Sequence, residues 1–273
     1  MPSFVYPLAS GSLGNALLVA TPTTRVLVDL GLSRRTLKAR LAGTGVGLED
    51  ISAVFLTHTH RDHFSASAVQ FCLKHHVPVY STPANLRHLA IELAGFGDLA
   101  AAGLAVAING CAVEVGDITV EAFDVPHDSV GGCLGFRLSS GSPRQRRTVT
   151  VATDLGHVPP DCTAAFLDSN VVVLESNHDV EMLRTSGRPW ELIERIAGPE
   201  GHLSNEAAAE ALAEIVGRSH PGRVGHVILA HLSRDCNHPR LALAAQAHLA
   251  RGHSHPIRIA AAVQDEAGPR VEL

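Results

Sequence analysis

Short apolar runs, each bounded by Gly, Pro, Ser or Thr, recur along most of the chain. Runs of this length between turn residues are typical of β-strands. The first three lie at 4–9, 15–20 and 25–31, and the nearly continuous apolar run 51–57 predicts a strand that is buried on both faces. The same pattern predicts later strands at 77–81, 111–125 (a hairpin that turns at Gly116-Asp117), 133–140, 148–154, 170–176, 225–231 and 256–262.

Helical spacing and capping residues lie between these strands. Leu37 and Leu41 are four residues apart after Ser33, a good N-cap, and Thr82-Pro83 has the chemistry of another helix start. Because strand-rich and helix-bearing stretches recur in both halves, we expect an α/β (α+β) protein with two mixed sheets covered by helices, in one domain. Further helices are expected at about 65–76, 189–197, 204–217 and 239–250.

The composition limits the function classes. The 273 residues are 45% apolar and 18% charged, as in a folded soluble protein, and the net charge of −5 gives no global sign of a nucleic-acid binder. Five scattered cysteines without a C-x-x-C pair favour free thiols in a reducing compartment. The N-terminal segment does not resemble a signal peptide, and no apolar stretch approaches the length of a membrane span. We therefore expect a cytoplasmic protein with no membrane partner.

Seventeen histidines are the anomaly, and three of them fall in VFLTHTHRDHF, residues 54–64. A polar loop in a His-rich chain is the simple alternative, but three protonated imidazoles would repel one another, whereas a divalent cation accepts neutral imidazole and ionised carboxylate as ligands. On an extended loop His58 and His60 point the same way, about 6–7 Å apart at the backbone, so both can reach one ion. Asp62 and His63 begin the turn into a helix and can reach a second position.

Two ions need more ligands, and the candidates lie just past other apolar strands, at His127, Asp154 and His231. Alone, each has an ordinary alternative, since a histidine after a strand is more often a hydrogen-bonded loop residue and an aspartate can cap a helix. Asp29 and Glu175 also follow apolar strands. Strand ends that meet at one edge are where α/β proteins build their sites, so we expect these polar residues to converge.

The order of these residues, His-x-His-x-Asp-His followed by an isolated His, an Asp and a final His, resembles that of the metallo-β-lactamase fold hydrolases. SGSLGN (10–15) and ESNHDVEML (175–183) bring the resemblance closer to the YycJ/WalJ-type branch, compact single-domain members viewed as nucleases. The resemblance covers nearly the whole chain and implies a four-layer αββα sandwich, with residues 1–273 as a single domain. The segment between Asp154 and His231 is too short for the inserted domain with which large RNA-processing relatives clamp RNA.

The same resemblance implies a ligand set. His60 stands where oxygen-reducing diiron relatives carry a carboxylate, which disfavours a redox function. Asp29 would prop the ligand loop through hydrogen bonds, with a plain strand-end aspartate as the alternative. Histidine and aspartate ligands suit two divalent ions, Zn²⁺ or Mn²⁺, and Fe²⁺ is also compatible. Carried over by position, seven residues would bind metal: His58, His60 and His127 on one ion, Asp62, His63 and His231 on the other, and Asp154 bridging both.

The expected chemistry follows from two ions about 3.5–4 Å apart, which produce hydroxide near neutral pH and neutralise developing charge. A hydroxide that bridges the metals suits in-line attack on a phosphodiester, and it suits esters, lactones and thioesters as well. Asp62 is predicted to be a catalytic residue as well as a metal ligand. In related nucleases a histidine placed like His202 serves near the leaving group, so we expect His202 to contact phosphate or donate a proton.

Substrate-binding residues are predicted in two segments. In SGSLGN, Ser10, Ser12 and Asn15 stand among glycines, where hydroxyls and backbone N–H groups can turn toward an anion; an ordinary hairpin turn is the alternative. In GHLSNE, Ser204 is a good N-cap for the next helix, a role that needs no ligand. A helix N-terminus beside Asn205 can nevertheless also seat a phosphate.

Other candidates are weaker. One basic cluster lies on a predicted helix (Arg34, Arg35, Lys38, Arg40) and another on a predicted loop (Arg144, Arg146, Arg147), and solvated faces are the favoured interpretation of both. His178 is expected in the core or at the surface rather than behind the ligands. The remaining histidines are expected at the surface or in packing: His75, His76, His88, His220, His248, His253 and His255.

The sequence thus favours a two-metal phosphodiesterase or nuclease, with DNA favoured over RNA as substrate. One alternative is a small-molecule hydrolase of the same fold, acting on a thioester, lactone or cyclic phosphodiester. A non-catalytic metal-binding protein is the other, and the apparently complete ligand set argues against it.

Overall fold

Two mixed sheets lie at the centre of the molecule. The computed structural model describes residues 2–249 and 255–273. The first sheet is antiparallel from the first to the third strand and parallel from the third to the sixth, and the last strand of the chain pairs with the first. Its strands are β1 (Phe4–Ala9), β2 (Ala16–Ala20), β3 (Arg25–Val28), β4 (Ala53–Phe55), β5 (Val79–Ser81), β6 (Ala105–Ala107) and, at the edge beside β1, β14 (Val271–Glu272).

The second sheet repeats this plan in the second half of the chain. Its first four strands are antiparallel and its last four are parallel, so one strand belongs to both sets. The strands are β7 (Val113–Val115), β8 (Ile118–Val125), β9 (Cys133–Ser140), β10 (Arg147–Ala152), β11 (Val171–Glu175), β12 (His226–Ala230) and β13 (Arg258–Ala261).

Helices cover the outer faces of both sheets. Ser33 caps the first helix by accepting from Thr36 N–H, and Thr82 caps the third by accepting from Asn85 N–H, as their sequence contexts predict. The helices are α1 (Arg34–Leu41), α2 (Ala66–His75), α3 (Pro83–Glu92), α4 (Phe96–Ala101), α5 (Pro160–Phe166), α6 (Val180–Arg184), α7 (Trp190–Ala197), α8 (Asn205–Arg218) and α9 (Pro239–Ala245).

The central strands bury both of their faces. In β3, Val26 and Val28 lie in the core between the two sheets, whereas Leu27 packs with the core under α1–α4. In β11, Val171 and Val173 face the first sheet, and the alternate residues pack under α5 and α8. Because successive side chains of a strand point to opposite faces, this alternation separates three apolar cores and four layers. The predicted αββα sandwich is therefore confirmed.

The structure differs from the predicted elements mainly in short segments. The run 51–57 forms only the three-residue β4, because the chain leaves the sheet to build the histidine loop. The predicted helix at 239–250 ends at Ala245, and its last position lies outside the described residues, as does His253. α4, α5, α6, β6 and β14 were not predicted, since two to seven residues are too few to show a period. Within the described ranges, no helix is both long and apolar enough to span a bilayer.

Candidate metal centre

The loop after β4 is fixed from behind by Asp29, which follows β3 and is 2% exposed. Its Oδ1 accepts hydrogen bonds from the Thr57 backbone N–H (2.9 Å) and hydroxyl (3.0 Å), and its Oδ2 lies 2.8 Å from His63 Nδ1. The Thr57 hydroxyl in turn lies 2.9 Å from His58 Nδ1. One carboxylate thus holds the start and the end of the loop, and it sets the ring orientation of His63 directly and that of His58 through Thr57.

Three imidazoles form the first candidate ligand group. His58, His60 and His127 each offer a nitrogen within 4.8 Å of the others. His58 is fully buried, and its Nε2 lies 2.9 Å from His60 Nδ1. His127 follows β8 and is anchored through Nδ1, which lies 3.2 Å from the Gly201 carbonyl oxygen. This leaves Nε2 of His127 free to face the group, an arrangement typical of ligating histidines.

A second group lies beside the first and consists of Asp62, His63 and His231, whose ligand atoms also lie within 4.8 Å of one another. Asp62 Oδ2 is 3.4 Å from His63 Nε2 and 3.6 Å from His231 Nε2. His231 follows β12, and its Nδ1 lies 2.8 Å from Glu175 Oε1. Like His58 and His127 in the first group, both histidines are held through Nδ1 and offer Nε2.

Asp154 lies between the two groups. Its Oδ2 is 3.2 Å from His63 Nε2, and its Oδ1 is 3.9 Å from His127 Nε2. Asp154 Oδ2, His127 Nε2 and His231 Nε2 are all buried and have no hydrogen-bond partner. Buried polar atoms without partners are costly, and these three are of the kinds that bind divalent cations. The donor set therefore fits two metal ions, and the residues that would share them converge as the sequence order suggests.

Backbone strain is concentrated in this region. Asp29, Asp154 and His231 have φ values of 62°, 60° and 53°, a left-handed conformation that is rare for residues other than glycine. Each of the three is the first or second residue after a strand. Such conformations persist only where the surroundings enforce them, and they cluster at functional sites. The fold thus bends three strand ends sharply to aim these side chains at one point.

Comparison with known families identifies this arrangement. Residues 24–231 match the family model described as a beta-lactamase superfamily domain, which is more than half of the chain. The chain belongs to the beta-lactamase superfamily.

Relatives within the superfamily cover most of the chain. It is 34% identical over 239 residues to the exodeoxyribonuclease YycJ of Bacillus anthracis, covering 86% of this chain and 84% of that protein. It is 32% identical over 236 residues to the exodeoxyribonuclease WalJ of Streptococcus pneumoniae, covering 86% and 83%. Among solved structures, Zn²⁺-bound PqqB from Methylobacterium extorquens superimposes with a TM-score of 0.70 at 19% identity, covering 99% of this chain and all of that one. These matches confirm the predicted family, the fold and a metal-dependent hydrolase.

Glu175 was expected to converge with the candidate ligands of this beta-lactamase superfamily site, but the sequence indicated no role for it. It ends β11 and is fully buried. Its Oε1 lies 2.8 Å from His231 Nδ1 and 2.9 Å from His202 Nδ1. Its Oε2 accepts from the backbone N–H groups of Leu155 (2.9 Å) and Leu203 (3.2 Å). The available signal was its position, a carboxylate at the end of an otherwise apolar buried strand.

His202 lies at the rim of the site with its side chain 22% exposed. With Nδ1 beside Glu175, the other ring nitrogen is the one available to substrate. Burial disfavours the protonated ring, but Glu175 and Asp154 outweigh burial and raise the pKa of His202 above its ordinary value. Burial acts to raise the pKa of Glu175, but His202 and His231 outweigh burial and lower this pKa to about 2. The carboxylate form of Glu175 is therefore favoured.

The ligand candidates are strongly coupled electrostatically. Burial lowers the pKa of His58, and the nearby His63 lowers it further. Burial also acts against protonation of His231, but Asp154, Asp62 and Glu175 together raise its pKa to about 10. Without a cation, protons on imidazoles such as that of His231 compensate the buried carboxylates. A divalent ion can take over this compensation, and it would displace those protons.

The predicted substrate-binding residues divide into buried and exposed ones. The Ser10 hydroxyl accepts from His231 N–H at 2.7 Å, so it supports the ligand and is not open to substrate. Asn15 is 6% exposed and bonds Gly11 at both ends of its amide, with Nδ2 also 3.2 Å from Asp62 Oδ2. Buried polar groups that are already paired gain nothing from a ligand. Ser10 therefore positions His231, and Asn15 positions Asp62.

Asn205 requires the same correction. It is 1% exposed, its Oδ1 accepts from Ser176 Oγ (2.6 Å), and its Nδ2 donates to Asn237 Oδ1 (3.0 Å). Substrate cannot reach this buried amide network, so Asn205 has a structural role. Ser204 caps α8 by accepting from Ala207 N–H, and Ser12 is exposed on its loop. Of the five predicted substrate contacts, Ser12 is the one fully open to solvent.

In the part of the chain that the structure describes, the basic clusters and the remaining histidines contribute to none of the candidate ligand groups. Arg34, Arg35 and Lys38 are exposed on α1, and the arginines at 144–147 are exposed in the loop after β9 and at the first residue of β10. His178 is buried and its Nδ1 has no hydrogen-bond partner. The other described histidines that were expected at the surface or in packing are exposed or half-buried: His75, His76, His88, His220, His248 and His255.

Proposed function

We propose that this protein is a two-metal phosphodiesterase that acts as a nuclease on DNA. The observation that carries the proposal is the pair of ligand groups that share Asp154, three of whose ligand atoms are buried without partners. DNA is favoured as substrate because two relatives are named exodeoxyribonucleases. They are 34% and 32% identical to this chain over 86% of its length. We also propose that residues 1–273 act as one domain without an inserted clamp domain, since the two sheets share one core.

Seven residues would hold the metals. Zn²⁺ or Mn²⁺ ions bound there lower the pKa of water and neutralise negative charge on the attacked phosphate. Six residues divide between two positions, and Asp154 contributes to both. The set is His58, His60 and His127 on one side and Asp62, His63 and His231 on the other.

The residues behind the ligands keep them aligned. Asp29 and Glu175 accept from the Nδ1 positions of His63 and His231, which leaves the Nε2 lone pairs directed inward. Asn15 holds Asp62 through the contact between its Nδ2 and the Asp62 carboxylate. These contacts reduce the reorganisation that binding and catalysis would otherwise require.

His202 is the proton donor in this proposal. Glu175 raises the pKa of His202, which favours the doubly protonated ring that a proton donor requires. The proton on Nδ1 remains with Glu175, and the proton on the other nitrogen can pass to the oxygen of the leaving nucleotide. A partly exposed ring at the rim of a buried site is suitably placed for a leaving group that departs into solvent.

The direct test is degradation of DNA by the purified protein with Mn²⁺ or Zn²⁺. We expect loss of single- or double-stranded DNA, and we expect Asp154→Ala to lose both metals and to reduce turnover by at least a thousandfold, because both positions depend on it. Asp124→Ala, on an exposed position of β8, is the matched control and should behave like the wild type. If the protein spares all nucleic acid but hydrolyses thioesters, lactones or cyclic phosphodiesters, the nuclease proposal is replaced.

His202→Ala separates proton donation from metal binding. We expect the rate to fall roughly 10²–10⁴-fold, the usual contribution of general acid–base catalysis. The metal content should stay near two ions per chain, as measured by elemental analysis of the purified variant. Loss of an ion in this variant would instead make His202 a ligand.

A further inference from the structure

Leu13 is a large apolar side chain that the protein displays on a rigid loop beside the candidate metal centre. It is 65% exposed, although the loop that carries it, residues 10–15, has neighbours on both sides. Toward the metal centre, Asn15 N–H donates to the Asp62 carbonyl oxygen at 2.7 Å. The end of the loop therefore contacts the backbone of a predicted ligand, whereas the side chain of Leu13, two residues earlier, points to solvent.

Paired hydrogen bonds keep this loop from collapsing onto the surface. Gln264 Oε1 accepts from Leu13 N–H at 2.7 Å, and its Nε2 donates to the Gly14 carbonyl oxygen at 2.9 Å. Asn15 and Gly11 exchange a second pair of bonds at 2.8 and 3.1 Å. Because these hydrogen bonds fix the backbone on both sides of Leu13, its side chain is held in an exposed position.

Two cavities meet at Leu13. One has a volume of about 300 Å³ and also contains Leu232 and Ser233, which directly follow the candidate ligand His231. The other has a volume of about 460 Å³ and contains Gly31, whose backbone packs against Asp62. Leu13, Gln264 and Asp265 line both cavities. Together they form a groove that is divided by the leucine and lies beside the segments that carry Asp62 and His231.

The two sides of this groove differ in chemistry. The smaller cavity exposes mainly apolar surface, including that of Leu232, Pro239 and Val263, and it is also lined by three charged residues, Arg234, Asp265 and Glu266. The larger cavity carries Arg40 and several hydroxyl groups, from Ser33, Thr36, Ser65 and Ser67. Asp265 lies 3.7 Å from Arg234, so part of the acidic charge is already compensated. Apolar walls suit a nucleobase, whereas hydroxyls and a guanidinium suit a sugar–phosphate backbone.

We propose that this groove binds the end of a DNA strand, with Leu13 inserted between the terminal nucleobase and the next one. The proposal rests on the nuclease function proposed above and names its substrate subsite. The terminal base packs in the apolar cavity against Leu13, and the backbone that follows lies along the cavity with Arg40 and the hydroxyls. The volumes match this occupant, since each cavity has the size of a small-ligand site. Packing against a leucine depends on apolar area and not on base identity, so every base is accepted.

The test uses short single-stranded DNA that carries an abasic residue at one of the first four positions from the attacked end. For the wild type, removing the first or second base should lower kcat/KM by about tenfold, mainly through KM, and removing the third or fourth should change it little. Leu13→Ala should be about fivefold to tenfold slower than the wild type on intact DNA. It should show no further loss when the first or second base is absent.

Two variants control for indirect effects. Leu13→Gln keeps the size of the side chain but removes its apolar character, and we expect it to behave like Leu13→Ala. Ile91→Ala removes an 80% exposed side chain at the end of α3 and should behave like the wild type.

Several results would overturn the proposal. Indifference of the wild type to base removal, an equal loss by Leu13→Ala on intact and abasic DNA, or a wild-type profile of Leu13→Gln would each do so while leaving the nuclease function standing. Failure to degrade any DNA would remove the nuclease function and this subsite together.

Discussion

Glu175 connects the two residue types on which the proposed chemistry depends. Its Oε1 contacts both His231, a candidate ligand, and His202, the proposed proton donor. Its other oxygen is committed to two backbone N–H groups, so the carboxylate cannot rotate to favour one histidine. A fully buried ionised group with four partners is costly to alter, because each partner loses its hydrogen bond or its charge compensation.

Replacing this carboxylate by an amide removes its negative charge but keeps the size and shape of the side chain. In Glu175→Gln we expect metal affinity to fall by about 10–100-fold, the usual effect of removing a partner behind a ligating histidine. The pKa of His202 should also fall, since Glu175 is what raises it most. A proton donor works only below its pKa, so the alkaline limb of the pH–rate profile should begin at lower pH. Metal titration and a pH profile at saturating metal measure the two effects.

The control for this substitution lies on α8. Glu210→Gln changes the same atoms on the exposed side of α8 and should leave both the metal affinity and the pH profile unchanged. If Glu175→Gln matched Glu210→Gln in both measurements, Glu175 would have no part in the site.

At the scale of elements, the site depends on how closely the loops after neighbouring strands pack. Gly31, in the loop after β3, has no room for a side chain, because a Cβ at this position would lie 1.7 Å from the Asp62 carbonyl oxygen. Gly31 N–H also donates to the Asn15 carbonyl oxygen at 2.8 Å. The loops after β1, β3 and β4 therefore meet at this glycine, and Asp62 is placed by their contact.

Gly31→Ala should push the ligand loop out of position. We expect the free energy of unfolding to fall by about 1–3 kcal/mol, the usual cost of overpacking, and the metal content to fall because Asp62 moves. Chemical denaturation and elemental analysis measure these effects. Gly217→Ala is the matched control, since its Cβ would meet nothing within 4 Å and α8 should gain up to about 1 kcal/mol. Equal stability of the two variants would contradict this account of the loop contact.

At the scale of the molecule, the two sheets share one core and bring their strand ends to one edge. Asp29 and the histidine loop come from the first sheet, whereas His127, Asp154, Glu175 and His231 come from the second. The candidate metal positions therefore span the sheet–sheet interface. Ions bound there would join the two halves of the sandwich.

Metal removal should therefore lower the stability of the whole protein. At a free metal concentration one hundred times Kd, each ion that binds to the folded state alone adds about 2.7 kcal/mol, which corresponds to a rise in Tm of roughly 5–10 °C for each ion bound. We expect chelation to lower Tm by this amount and re-addition of Mn²⁺ or Zn²⁺ to restore it, as measured by calorimetry. An unchanged Tm in Asp154→Ala on metal addition is the expected control.

The binding should also release protons. The pKa of His231 is about 10 without a cation, so this ring is protonated at neutral pH and must lose its proton to become a ligand. Metal affinity should therefore rise as pH rises from 6 to 8. Proton release in weakly buffered solution, followed with a pH indicator during titration with Zn²⁺, measures the effect. Binding without proton release would contradict the proposed role of His231.

The amino-acid sequence by itself determined the layers of the fold and the chemistry of the site. The apolar runs that form β3 and β11, the caps at Ser33 and Thr82, and the histidine motif at 58–63 are local patterns, and each acts through residues that are neighbours along the chain or one turn apart. Sequence order was also enough to indicate His127, Asp154 and His231, because each follows an apolar strand. These features could be predicted without knowing the path of the chain.

Only the tertiary structure decided which polar residues face the site and which support it. Ser10, Asn15 and Asn205 carry the polar groups that a phosphate would need, but the fold buries and pairs them. Glu175 has the sequence context of an ordinary strand end, but the fold places it between two histidines that lie 27 and 56 residues away. Burial and pairing of a polar group depend on contacts between distant segments, and no local pattern encodes them. The exposed Leu13 and the groove on either side of it became visible for the same reason.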